Sequence, residues 1–447
     1  MGEQLGLGSA VSMALGGMIG GGIYAVLGVV AQITMYATWF GFVAAGFVAA
    51  CAGYSYNKLN HLGDQRGGSV TFVQEFVENG TLAGMVGWTL LFGYVGSMAM
   101  YAFAFAEFAI GLGLPQQLFG LPIRPLVSVG AVGLFVALNL LGAHTTGAVE
   151  NALVGGKVAI LVAFGVLGFV YLVPVSGRTV RFGLGAISGF SPLVAAAISF
   201  VAFQGWQLLF YDQESISDPD TTLPRAVYIA IPVAVAIYVL VAIVTVNIAP
   251  DALTKHPHVA LKTAGRTMTS PWGLGAAGAL VVSVSAIFST GSAINATLFS
   301  SGHFAKGMLE GDLLPDQIGD GDADGAPPRT ILIIGVVTAA LSAIGSLGAI
   351  TSFASLAFIV VFGSMSYVAF RHRDHDAVHP VPPLVGALGA LGFAPLMLWN
   401  LANREPGTFG MVVVITVTTI LVELLYFERD AIESNLEEFA EDAAAHL

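Results

Sequence analysis

Hydrophobic residues are not scattered along this chain but gathered into long runs. Each run holds about 20 apolar residues, enough for a helix to cross about 30 Å of hydrocarbon. Twelve occur, at 8–32, 35–56, 84–112, 125–142, 148–173, 193–211, 226–249, 274–302, 331–348, 350–370, 381–402 and 408–427. The pattern predicts an all-α membrane protein of twelve transmembrane helices. The first run lacks a basic leader and is too long for a cleaved signal. Between the runs, "GGSVTFVQEFVENG" sets Val70, Val73, Phe76 and Val77 at helical spacing on one face. That predicts a short helix lying on the membrane surface. A second short helix is predicted at 260–268.

Composition agrees with the pattern. Of 447 residues, 56% are hydrophobic and only 10% charged, against about 25% charged in soluble domains. The single cysteine, Cys51, excludes an intramolecular disulfide, and no metal-ligand spacing of Cys, His or carboxylates occurs. His256 and His258, flanking Pro257, read as loop residues. The net charge of -12 is concentrated in the loop "EGDLLPDQIGDGDADG" and in an acidic tail, 428–447. Acidic, lysine-poor exposed segments suit solubility in strong salt and point to a halophilic source; an ordinary acidic tail is the other reading. Arginines and lysines divide almost evenly between the two sides, so the positive-inside rule barely orients the chain. Cytoplasmic N- and C-termini are expected.

The candidate chemistry starts in the first run, at "ALGGMIGGGIYAVLG" (14–28), with six glycines and three in succession at Gly20, Gly21 and Gly22. Glycine costs a helix interior up to about 1 kcal/mol relative to alanine. Irregular backbone at membrane depth is tolerated where it is buried in protein or lines a cavity. A break frees N–H groups that can hold a carboxylate and C=O groups that can hold an ammonium, the two charges of a free amino acid. Close helix packing through small residues explains the same glycines. A second interruption lies five runs later, where Gly205 divides the aromatic stretch "SFVAFQGWQLLF". Paired interruptions in two halves mark the site of an inverted-repeat transporter. The halves are then 8–173 and 193–370, with extra helices at 381–427, all in one transport domain (1–427).

Those motifs resemble the amino acid–polyamine–organocation (APC) permeases. "GGMIGGGIY" is similar to the family's first-span signature, "FVAFQGWQ" with "ESISDPDTTLPRAV" to its sixth span and tail, and "NATLFSSGHFAKGMLEGDLLP" to the end of its eighth. The resemblance covers almost the whole chain. It implies the LeuT-like five-plus-five inverted repeat, with discontinuous first and sixth helices and alternating access. Carried over by position, the amides of Gly20, Gly21 and Gly22 hold the substrate carboxylate. Carbonyls near Met18, Ile19, Val201, Ala202 and Gln204 hold the ammonium, and Phe203 and Gly205 complete that segment. Val201 stands where several members carry an aromatic gate, which passes that role to Phe200, Phe203 or Trp206. Gln207 replaces an acid found in many members.

Lys157 lies about 15 Å into the fifth run by helical rise. A charge inside a span is costly and marks function by default; the other reading is a side chain that snorkels to the surface. By resemblance, a lysine here substitutes for a coupling sodium, with Gly16, Ile19, Ser289 and Ser292 as partners. Glu107 and Glu423, near the ends of their spans, read as groups reaching water. The sequence therefore reads as a secondary transporter of amino acids and not an enzyme. It is expected in the plasma membrane, carrying a neutral or hydrophobic amino acid with protons as the coupling ion, sodium being the alternative. Lipid and the small-molecule substrate are the expected partners, with no cofactor, metal or nucleic acid. An amine or polyamine permease or an amino acid exchanger is the rival reading.

Overall fold

The computed structural model describes residues 5–142, 147–211, 213–321, 323 and 325–427, with the side chains of 147–150, 214 and 423–427 left aside. Apolar runs become helices because a buried or lipid-facing backbone must pair its own polar groups. In chain order these are α1 (Leu7–Thr34), α2 (Thr38–Leu62), α3 (Ser69–Phe76), α4 (Gly80–Ile110) and α5 (Arg124–Leu140). Next come α6 (Gly147–Val170), α7 (Ser191–Ser199), α8 (Pro219–Ile248), α9 (Pro250–Lys255) and α10 (Ala260–Thr269). The chain closes with α11 (Gly275–Glu310), α12 (Pro328–Ile344), α13 (Leu347–Arg371), α14 (Val381–Arg404) and α15 (Pro406–Phe427). A short hairpin, β1 (Gln117–Leu118) with antiparallel β2 (Leu121–Pro122), links α4 to α5.

Among the described residues, seven helical stretches are long and apolar enough to cross a membrane, the first of them, 7–62, comprising α1 and α2. Four shorter apolar helices accompany them. The two predicted short helices are present as α3 and α10. α11 runs on to Glu310, past the apolar limit near 302, because a helix leaving hydrocarbon loses only its apolar requirement. The acidic tail expected at 428–447 lies outside the described residues.

Helix α1 sits at the centre, its buried residues running from Ala10 to Ala31 and its sides covered by α4, α6, α7, α8 and α11. Outward-facing side chains of the peripheral helices are apolar: Leu126, Leu134, Val166, Val336, Leu388 and Val414 are all more than half exposed. Such a girdle is too large for a water-soluble surface and suits lipid.

The first span corrects the expectation of a discontinuous helix. α1 is helical without a break from Leu7 to Thr34, through all three consecutive glycines. Propensity is a weak prior that tertiary contacts override, and here the contacts need glycine. A Cβ on Gly20 would come within 2.5 Å of the Ala293 Cβ, and one on Gly22 within 2.6 Å of the Tyr238 hydroxyl. One on Gly21 would enter the Tyr101 ring, 1.8 Å from its Cδ1. The packing explanation of these glycines is the one the structure bears out.

The sixth span is broken as expected. After α7, Phe200–Phe203 tightens to a 3-10 turn, Gln204 is extended, and Gly205 takes φ +129° before a second 3-10 turn at Trp206–Phe210. Only glycine adopts that φ without strain. A Cβ on Gly205 would also lie 2.7 Å from the Gly17 carbonyl carbon. Gly205→Ala should therefore lower the melting temperature in mild detergent, with strain of about 1–3 kcal/mol added to the overlap. Gly407→Ala, where a Cβ meets nothing within 4 Å, should leave it unchanged.

Candidate functional site

The break in the sixth span leaves backbone groups that the neighbouring side chains satisfy. Val201 N–H donates to Ser355 Oγ of α13 (3.0 Å), and that hydroxyl donates to the Ile198 carbonyl (2.6 Å). Gly205 N–H donates to Gln207 Oε1 (2.6 Å). Gln207 Nε2 reaches Gln204 Oε1 at 3.3 Å, and Gln204 Nε2 donates to the Tyr101 hydroxyl at 2.6 Å. Gln204, Gln207 and Tyr101 are all buried. Unpaired polar groups are expensive there, so this amide chain holds the broken segment in one arrangement. The Tyr101 ring at its end covers Gly21.

The α1 segment Met18–Gly22 faces the segment Val201–Gly205, as the sequence suggested. Tyr238 of α8 ties them: its hydroxyl lies 2.6 Å from the Met18 carbonyl oxygen and 2.9 Å from that of Ala202. Ser289 of α11 donates to the Ile19 carbonyl at 3.2 Å. The amides of Gly20, Gly21 and Gly22 lie within regular helix, where N–H groups pair one turn back. The three aromatic gate candidates are fully buried. Phe203 meets the Tyr238 ring, Phe200 meets Phe362 and Phe393, and Trp206 packs among Tyr56, Phe210 and Phe362.

Lys157 does not snorkel. It is 6% exposed, and its Nζ donates to Ser292 Oγ of α11. Ser292 Oγ in turn lies 3.1 Å from the Ser289 carbonyl, so Lys157, Ser292, Ser289 and Ile19 converge where α6, α11 and α1 meet. Gly16, one turn before Gly20 on α1, is half-buried. Glu107 is half-buried near the end of α4. Arg124 of α5 donates to the carbonyls of Ser342 (2.6 Å) and Ala343 (2.9 Å) and stacks over Phe103. The Glu423 side chain lies outside those described. Sequence reasoning missed Tyr101, Tyr238 and Ser355. Their only signal was a hydroxyl inside an apolar span, and nothing local tells which distant helix it will meet.

Over the end of α1 lies the 3-10 turn Pro257–Val259. The Pro257 carbonyl abuts Gly28, and the His258 ring meets Phe103 edge-on at 5.4 Å. The His258 Nδ1 is buried with no hydrogen-bond partner among the described residues.

Two outcomes follow from this geometry. Gly21→Ala should destabilise by about 1–3 kcal/mol through overpacking, and by clearly less on a Tyr101→Ala background, because contacting residues couple. A double-mutant cycle of thermal melts reads the difference. For His258, burial, with Arg124 and His256 adding repulsion, holds the imidazole below its ordinary 6.5. The unfolded chain then takes the proton first as pH falls through that value, so stability is full above it and declines below it. His258→Phe should flatten the acid side of a melting-temperature profile.

Comparison with known proteins accords with this architecture. The chain is 29% identical over 420 residues to the inner membrane transport protein YbaT of Escherichia coli, covering 90% of this chain and 92% of that protein. It is 32% identical over 316 residues to an uncharacterized protein of Methanocaldococcus jannaschii, covering 70% of each. A crystal structure of a mutant manganese transporter from Eremococcus coleocola superposes with a TM-score of 0.58, covering 95% of this chain and 94% of that one at 14% identity, a likeness of fold. The amino acid permease profile matches residues 5–422. With that match spanning nearly its whole length, the chain belongs to the amino acid permease family of the APC superfamily, with its LeuT-like fold.

Proposed function

We propose that this permease is a proton-coupled secondary transporter of a neutral or hydrophobic amino acid. It works by alternating access in the plasma membrane, with both termini cytoplasmic. Twelve spans, the first ten forming two inverted repeats, complete the reading. The observation that carries it is the buried Lys157 reaching Ser292 beside the Ser289–Ile19 contact. A buried ammonium is costly unless hydrogen-bonded partners hold it, so its proton depends on the contacts it keeps. Protonated, it bridges α6 to α11 next to α1; neutral, it loses a charge-assisted hydrogen bond of about 1.5–3 kcal/mol. Moving a two-state equilibrium from 1:99 to 99:1 takes about 5.5 kcal/mol, so proton and substrate together supply the shift.

The substrate head group is assigned to the facing segments Met18–Gly22 and Val201–Gly205. Its ammonium takes the carbonyls of Met18, Ile19, Val201 and Ala202, with Gln204 beside them. Its carboxylate takes the amides of Gly20, Gly21 and Gly22 once α1 opens locally. Three glycines in succession make that opening cheap. The neutral Gln207 and the apolar surroundings of Phe203 support an uncharged substrate side chain.

A thermal-shift screen of the twenty amino acids identifies the ligand, since binding stabilises the native state. With that ligand, Lys157→Gln should still bind in calorimetry but fail to accumulate it in proteoliposomes under an imposed proton gradient. Unchanged proton-driven accumulation in the variant, or accumulation by the unaltered protein on sodium alone, would sink the reading.

A further inference from the structure

Helix α11 carries two kinds of hydroxyl. Ser283 and Thr290 donate back to carbonyls of their own helix, Ala279 at 2.8 Å and Ala286 at 2.7 Å. This is the ordinary way a hydroxyl settles in an apolar span. Ser285, Ser289 and Ser292 engage the neighbouring helices. Ser285 Oγ lies 2.7 Å from the Tyr24 hydroxyl of α1, Ser289 donates to the Ile19 carbonyl, and Ser292 accepts from Lys157. Spacings of four and three place these serines on one helix face, spanning about 10 Å by helical rise. On α1 the order is reversed, Tyr24 lying five residues beyond Ile19, as antiparallel helices require. The interface is thus a ladder of hydroxyls that ends on the buried amine. Tyr24 and Ser285, 2% and 4% exposed, belong neither to the substrate segments nor to the lysine's own contacts.

We propose that Tyr24 and Ser285 are positioning residues forming the outer end of a hydroxyl path along which protons reach Lys157, an inference that rests on the proton-coupling reading above. A proton from outer water binds the Tyr24 oxygen as the phenol proton passes to Ser285 Oγ. Ser285 passes its own proton on through Ser289 and Ser292, one water bridging each gap of about a helical turn. The neutral Lys157 amine takes the last proton on its lone pair. Each hydroxyl ends with one proton, as it began, and the net change is one amine made ammonium. The Phe108 ring of α4 stands edge-on to Tyr24, with centroids 6.0 Å apart. Titratable and charged groups at this end are Glu107 on α4, Arg124 on α5, His256 and His258 beside the turn over α1, and Lys262 and Arg266 on α10, where Lys262 donates to the Gly111 carbonyl beyond α4.

The test uses the full-length protein in proteoliposomes, with a lumenal pH dye and the amino acid found by thermal shift. Tyr24→Phe keeps the ring and its edge-on contact with Phe108 but removes the hydroxyl; Ser285→Ala removes the other partner. In each, proton-driven uptake should slow by about a hundredfold or more, the scale on which a positioned proton-transfer group acts. Substrate KM and substrate-for-substrate exchange, which moves no net proton, should stay unchanged. Unchanged proton uptake in both variants overturns the path. So does an equal loss of exchange and proton-driven uptake, which marks a structural role. If Lys157→Gln also takes up protons normally, the coupling reading falls with it; if only Lys157→Gln is impaired, the coupling reading stands and the Tyr24–Ser285 path does not.

Discussion

Everything at the centre of this fold depends on two backbones touching. Gly17 of α1 and Gly205 of the broken sixth span approach so closely that a Cβ on either would lie about 2.7 Å from the other's backbone. Only a pair of glycines permits it. The contact brings Met18 beside Ala202, which lets one tyrosine from α8 address both. At the same contact Gly205 takes φ +129°, and its amide, outside any helical ladder, donates to Gln207. Break, amide chain and tyrosine tie all meet at this one close approach.

Helix α1 is consequently held from two directions by different chemistry. Toward the sixth span and α8 the ties are few and central, at Met18 and Gly17. Toward α11 they run along the helix, from Ile19 to Tyr24, with Ala293 packed into the space left at Gly20. A movement of α1 that keeps one set must shear the other. Buried hydrogen bonds resist partial loss, since an orphaned polar group in a dry interior costs about 1–3 kcal/mol. The helix therefore favours discrete positions over gradual sliding, which is the physical requirement for a two-state element.

Much of this was legible before any coordinates. Apolar run length marked the helices because, in hydrocarbon, a polar backbone has no alternative. Gly205 was legible as a break because its aromatic neighbours fade at once into polar residues. The same reasoning misread Gly20–Gly22: a glycine run signals either a weak helix or a close neighbour, and Ala293, Tyr101 and Tyr238 lie from about 80 to over 270 residues away in the chain. Ser289, Ser292 and Ile19 as companions of Lys157 came from family resemblance, and the geometry placed them together. Tyr24, Tyr101 and Tyr238 could not be found, because a tyrosine in a span looks alike whether it caps a carbonyl, covers a glycine or faces lipid.

The Tyr238 hydroxyl carries an imbalance of its own. It owns one proton, yet two carbonyl oxygens, Met18 at 2.6 Å and Ala202 at 2.9 Å, point at it. At any instant it serves only one of them; Met18 lies within continuous helix, where its carbonyl also pairs with the backbone one turn on, whereas Ala202 lies in the 3-10 turn before the break. The shared proton therefore couples the two segments, because a movement that parts Met18 from Ala202 leaves the hydroxyl a single acceptor. Tyr238 is therefore the point at which a change in one segment is felt at once by the other.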